Sequence, residues 1–309
     1  MTFDELIERG WERHAEETEA VADLLEQHAT LAADATQAAA LLRLSNHTIG
    51  EHLREWPRAG KLAAAVVSAV PDAGAAVAPL TSLAIARFMS GAVLEALATQ
   101  ARIVLLEAGS AASITARIAV EVGAHSVAGG DLDRGRTSYE SALELARAYA
   151  DPATLRAVAV TSNNLASGLL ERTHRTEAET RFMLDAAHAA REFWLRCGTW
   201  VNDARAGYLL ALVYNAAGQP DTARSHGAHA LALLEAHGDE KVDEAFTHLA
   251  LANSARLSGD RPAHDRHLAD ADRLATPFTE DWLKKWFAGE RRAVLWPSAP
   301  TCTQSVART

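Results

Sequence analysis

Cysteine is nearly missing from this chain: two of 309 residues, Cys197 and Cys302. A disulfide framework is thereby excluded, and the usage suits a reducing compartment. Aromatic residues make up only 6% and β-branched runs are scarce, so the usual material of strands is lacking. No window approaches the roughly 18 apolar residues that a membrane-crossing helix needs. Basic excess is lacking as well. The formal net charge of -10 and pI near 5.7 speak against a protein that coats nucleic acid or anionic membrane. The opening MTFDELIERGWERH is acidic and amphipathic, with no basic and then apolar leader, so the expectation is a cytoplasmic protein.

What is present is abundant alanine within a chain 49% hydrophobic and 23% charged, enough for a large core. These proportions predict a globular all-α protein. A hydrophobic residue followed by a small one recurs as Ile49-Gly50, Leu83-Ala84, Val122-Gly123, Leu165-Ala166, Leu210-Ala211 and Leu251-Ala252. The small residues are 34, 39, 43, 45 and 41 apart. Seven positions beyond each stand Pro57, Gly91, Gly130, Thr173, Gly218 and Gly259, five of them helix breakers. Twelve beyond stand Leu62, Ala96, Gly135, Ala178, Ala223 and His264. Seven further come Ala69, Ile103, Ala142, Asp185, Ala230 and Ala271, continuing one face at helical spacing. The pattern reads as a helix, a tight turn and an antiparallel second helix, repeated so that neighbours cover each other's apolar faces.

Spacing and residue types resemble the tetratricopeptide repeat family over roughly Gln37 to Leu274. TSNNLASGLLERTHRTEAETRF, from Thr161, is most similar to the longer repeats of the kinesin-light-chain type. The departures are at Leu62, Gly135, Thr173 and His264. The resemblance implies a right-handed α-α superhelix of about six helix pairs in residues 37–274. A capping helix or helices would fill 1–36, another capping helix 275–296, and a disordered tail 297–309. Trp282 and Trp286 on the C-terminal cap suit either burial of the last repeat or a second copy of the chain.

In such a superhelix the first helix of each pair lines a concave groove. Positions three before and one after the small residue, flanked by six before and four after, would face inward. Their polar members from Arg117 onward are Arg117, Asn163, Ser167, Arg205, Tyr208, Asn215, Asn253 and Arg256, with no carboxylate. Arginines among amides suit an extended peptide or protein segment carrying an acidic group. The resemblance assigns Asn163 to peptide backbone, while Asn164, one step around the helix, reads as a bridge between repeats. The expected role is a peptide-binding scaffold that is not an enzyme and needs no cofactor.

An alternative comes from histidine. His47 and Glu51 are four apart, His52 follows, and His14 lies on the N-terminal helix. Two helices that each supply such ligands can hold a divalent metal. The alternative is a metal-dependent or small-molecule enzyme built on the repeats. Cys197 has no evident orienting partner, and Ser126 falls at a helix end rather than at a strand-to-helix elbow, so neither reads as a nucleophile.

Overall fold

The computed structural model describes residues 1–107 and 110–296, and every regular element among them is helical. The tail 297–309, with Cys302, lies outside the described residues. Two compact units divide the chain, Met1–Cys197 and the remainder from Gly198, so the boundary falls inside the expected repeat region.

The first unit opens with α1 (Phe3–Arg13) and α2 (Thr18–Gln27), a broken pair. Thr2 and Glu5 form a reciprocal cap that starts α1. Helix α3 (Ala35–Ser45), capped by Asp34, runs without a break into a π-helical segment, Asn46–His52. There follow α4 (Trp56–Ala69), α5 (Val77–Met89), α6 (Val93–Leu106), α7 (Ala111–Ala128), α8 (Leu132–Tyr149), α9 (Pro152–Leu170) and α10 (Glu177–Cys197). Helices α5 and α6, α7 and α8, and α9 and α10 pack as pairs, and the π segment packs on α4. The first helices α3, α5, α7 and α9 pack on one another in succession. In the second unit, α11 (Trp200–Ala216) pairs with α12 (Pro220–His237), and α13 (Lys241–Ser258) with α14 (Arg261–Ala275). Helix α15 (Asp281–Ala293) follows. The six expected helix pairs are all present.

Each of the six small residues, Gly50, Ala84, Gly123, Ala166, Ala211 and Ala252, is buried. The tightest crossing is between α7 and α8. A Cβ on Gly123 would stand 2.9 Å from the Gly135 carbonyl oxygen and from the Tyr139 amide, and one on Gly135 would stand 2.4 Å from Val127. Gly91, Gly130, Gly218 and Gly259 take positive φ at the turns, where a side chain would be strained. Pro57 is not a breaker. It sits in the first turn of α4, where its missing amide hydrogen is not needed.

The fourth pair departs from the expected register. Thr173 lies in a longer connection, residues 171–176, in which the Arg175 guanidinium donates to the carbonyls of Leu169, Leu170 and Arg172. The extra length turns α10 so that Phe182, Met183, Ala186 and Ala187 are buried, while Asp185 is exposed. In the sixth pair the small residue is replaced by His264, which is buried; its Nε2 donates to the Val294 carbonyl at 3.1 Å. Leu283 and Phe287 of α15 join a cluster with Phe246, Leu249, Leu274 and Phe278. Trp282 remains 63% exposed.

A half-buried histidine pair sits between α13 and α14, with His248 Nδ1 2.9 Å from His267 Nδ1. Burial, and next the neighbouring His248, push the His267 imidazole down to about 4. Burial also lowers His248, against the pull of Asp270, Glu244 and Glu235; Arg273 lowers it further, and Arg266 and Arg224 act likewise on His267.

Gly123→Ala should lose about 1–3 kcal/mol in urea unfolding, because the added methyl meets backbone and not a side chain that can yield. Gly168→Ala, within α9 with nothing inside 4 Å, should gain about 0.5–1 kcal/mol. For the histidine pair, the unfolded chain takes up a proton near pH 6.5 and the folded one only near 4. Stability is therefore full above about pH 6.5 and falls as pH drops through that window. Melting temperature measured from pH 7.5 to 5 should decline less in His267→Gln than in the wild type.

Candidate functional site

The π-helical segment is the local origin of the site. The Leu53 amide bonds back five residues to the Thr48 carbonyl at 3.1 Å. In an α-helix, residues five apart point about 140° away from each other; in a π turn they share a face. His47 and His52 are thus brought together, Nε2 to Nε2 at 3.3 Å with ring centres 4.6 Å apart. His14 arrives from the C-terminal cap of α1, its ring 4.8 Å from His47 and 5.3 Å from His52. Gly10 allows that approach, since a Cβ there would stand 2.5 Å from the Leu44 side chain. Trp11 closes one flank, 5.3 Å from the His47 ring, and the Arg43 guanidinium lies over the Trp11 ring.

Glu51 links this cluster to α7. One carboxylate oxygen meets His47 Nδ1 at 2.8 Å and the other meets His125 Nδ1 at 3.2 Å. Burial pushes the Glu51 carboxyl up, but the hydrogen bond from His47 and the charges of His125, His47 and His52 outweigh it. The carboxyl is held below its ordinary range. The Trp56 ring packs 5.0 Å from the His125 ring, and it presses on Gly50, where a Cβ would stand 2.6 Å from it. From His125 the polar path continues to Glu121 at 3.7 Å, and the Thr161 hydroxyl of α9 donates to Glu121.

These side chains line an open cavity of about 520 Å³ between the π segment, α7 and α9. His47, Glu51, Glu121, His125, Thr161 and Asn164 form its polar wall, and Val127, Val160, Leu165 and Leu169 its apolar part. Arg172 also reaches the cavity, but its guanidinium pairs with Glu179 and donates to the Val127 carbonyl at 2.8 Å. A smaller space of about 170 Å³ lies on the other side of Glu51 and His125, against Met89 and Arg134.

Of the metal-type candidates, His14, His47, Glu51 and His52 do meet. The residues expected along a basic groove are distributed differently. Arg117 pairs with Glu107, which neutralises it. Asn163 and Ser167 are half-buried on α9, and Asn164, not Asn163, faces the cavity. In the second unit, Arg205 is bound by Asp243 at 2.7 Å and Glu240 at 3.3 Å, both from around the start of α13. Burial raises the Tyr208 phenol, which borders a space of about 60 Å³ with Phe246 and Trp286. Asn215 is buried and structural: its amide donates to the Ala250 carbonyl at 2.9 Å and its oxygen accepts from the Ser254 hydroxyl at 3.0 Å. The Asn253 oxygen accepts from Arg256 at 2.7 Å. Two of the three arginines of the expected carboxylate-free stripe, Arg117 and Arg205, are therefore answered by carboxylates, while Arg256 bonds Asn253.

Sequence reasoning missed Glu121, His125, Thr161, Asn164 and Arg172. The signal was available one residue away: Glu121 and His125 stand two before and two after Gly123, and Asn164 two before Ala166. The polar lining of α7 and α9 stands one residue from the expected positions, while Ala124, Val127 and Val160, at expected inward positions, also line the cavity.

No family model matches this chain, and no curated protein does. Among solved structures, BtubC (BKLC) from P. vanneervenii is similar at 17% identity and a TM-score of 0.45, over 74% of this chain and 92% of that one.

The hydrogen bonds of Asn215 predict a structural loss. Asn215→Ala should lower unfolding free energy by about 1–3 kcal/mol by leaving buried partners unsatisfied. Asn163→Ala should stay within about 0.5 kcal/mol of wild type in the same urea titration.

Proposed function

We propose that this chain is a helical-repeat binding protein that takes a side chain of a peptide or protein segment into the cavity between the π segment, α7 and α9. The observation that carries this reading is the charge of the wall. Glu51 and Glu121 both face the cavity, while its arginine, Arg172, is already paired with Glu179. An acidic ligand, the expectation drawn from the arginine list, would meet two carboxylates here. A donor-bearing or cationic side chain fits instead. Its head would bond Glu121 and the Asn164 amide oxygen, and its aliphatic stem would lie on Val160 and Leu165. A volume of about 520 Å³ lies within the range of ligand-sized clefts.

Removing one wall charge tests this directly. Capped hexapeptides with Lys, Arg, Glu or Ala at the central position are titrated against wild type and Glu121→Gln by fluorescence anisotropy. The Lys or Arg peptides should bind best, and Glu121→Gln should weaken them by roughly 10- to 100-fold, the worth of one charge-assisted hydrogen bond. Preference for the Glu peptide, or equal binding by the variant, would overturn the reading.

A further inference from the structure

We propose that His14, His47 and His52 form a binding site for a divalent first-row transition ion of the zinc class, with Glu51 as the group that orients His47. The inference does not rest on the proposed peptide-binding role: His47 and Glu51 border the neighbouring cavity, but His14 and His52 do not.

Distance is the first support. Each of the three histidines offers a ring nitrogen, and these atoms lie within 4.8 Å of one another. Two nitrogens bound tetrahedrally to zinc at about 2.05 Å stand about 3.3 Å apart. The His47 and His52 Nε2 atoms are separated by that distance, 3.3 Å.

Proton placement is the second. His14 Nδ1 is 2.7 Å from the Trp11 carbonyl oxygen, which can only accept, so Nδ1 carries the hydrogen and Nε2 keeps its lone pair. His47 Nδ1 is likewise turned to the Glu51 carboxylate at 2.8 Å, again leaving Nε2 as a ligand. A carboxylate on the far nitrogen of a metal-binding imidazole fixes its orientation and raises its basicity. Three neutral imidazoles leave the ion's charge to be balanced by Glu51 just behind His47. The fourth tetrahedral position is left to water, and His52 is exposed, so an ion has a route from solvent.

The third support is what the fold gives up to bring these rings together. Seven residues run as π-helix, and around them the buried Ser45 hydroxyl, Asn46 amide oxygen and Thr48 hydroxyl have no hydrogen-bond partner. Such costs concentrate where function requires an unusual backbone. An α-helical continuation would satisfy the helix but turn His52 away from His47. Helices bearing scattered histidines normally leave them solvated on separate faces. Here three rings converge, two with their outer nitrogens fixed by acceptors.

The test uses the full chain without a histidine tag. Co2+ is titrated and followed by visible absorption, and Zn2+ is then titrated by competition and calorimetry. Wild type should bind one ion per chain, with the intense visible bands of a tetrahedral site. His14→Ala, His47→Ala and His52→Ala should each weaken binding at least about 10-fold and reduce the bands. Glu51→Gln should weaken it by about 10- to 100-fold. His174→Ala, on an exposed loop, should bind as wild type does. Circular dichroism of each variant in chelator verifies that the fold is kept, and His52→Ala, at an exposed position, guards against a failure of folding. Weak octahedral cobalt bands, or wild-type affinity in His47→Ala and His52→Ala, would overturn the proposal.

Discussion

How closely two helices can approach is set by the residue at their crossing, and in this chain nearly every crossing is built on glycine or alanine. Where Gly123 faces Gly135, backbone meets backbone with no room for one methyl group. Close approach of this kind fixes the distance between the two helices of a pair. The packing of α7 on α9 brings their side chains and those of the π segment to one space. The cavity exists because the first helices stand near enough for Glu51, His125, Glu121 and Thr161 to form a continuous polar path.

Against that regular frame the π segment adds one residue to a turn. The consequences are local but run in several directions. Arg54, just past the segment, takes a positive φ of 60° and sends its guanidinium to the Ala128 and Gly129 carbonyls at the end of α7. Arg172 satisfies Val127 nearby, and Arg134 reaches Phe88. Arginine thus neutralises the partial negative charge at helix C-termini, each time from a different element. These three guanidinium groups are thereby engaged without any ligand.

The repeat was legible because small residues at crossings and glycines at turns are fixed by sterics, and sterics leave a periodic trace. Gly91, Gly130, Gly218 and Gly259 all stand where the period put them. The fourth pair slipped because a six-residue connection with Arg175 replaced the glycine turn. The groove was less legible. Whether Arg205 is available depends on Asp243, thirty-eight residues away, and no local spacing reports that pairing. Asn164, expected as a bridge, borders the cavity one residue away from the expected inward position of Asn163. The histidine cluster was half visible, since His47 and Glu51 were read at α-helical spacing. The convergence of His52 needed a π turn, which leaves no distinctive composition.

Glu51 has two oxygens, and they face different neighbours: His47 on the cluster side and His125 on the cavity side. One delocalised charge is therefore divided between two environments. Whatever draws electron density toward His47 weakens the hold on His125, and a ligand that engages His125 does the reverse. If both proposed sites bind, linkage would make any such effect equal in both directions. Glu51 is the side chain through which the two proposed sites would be coupled.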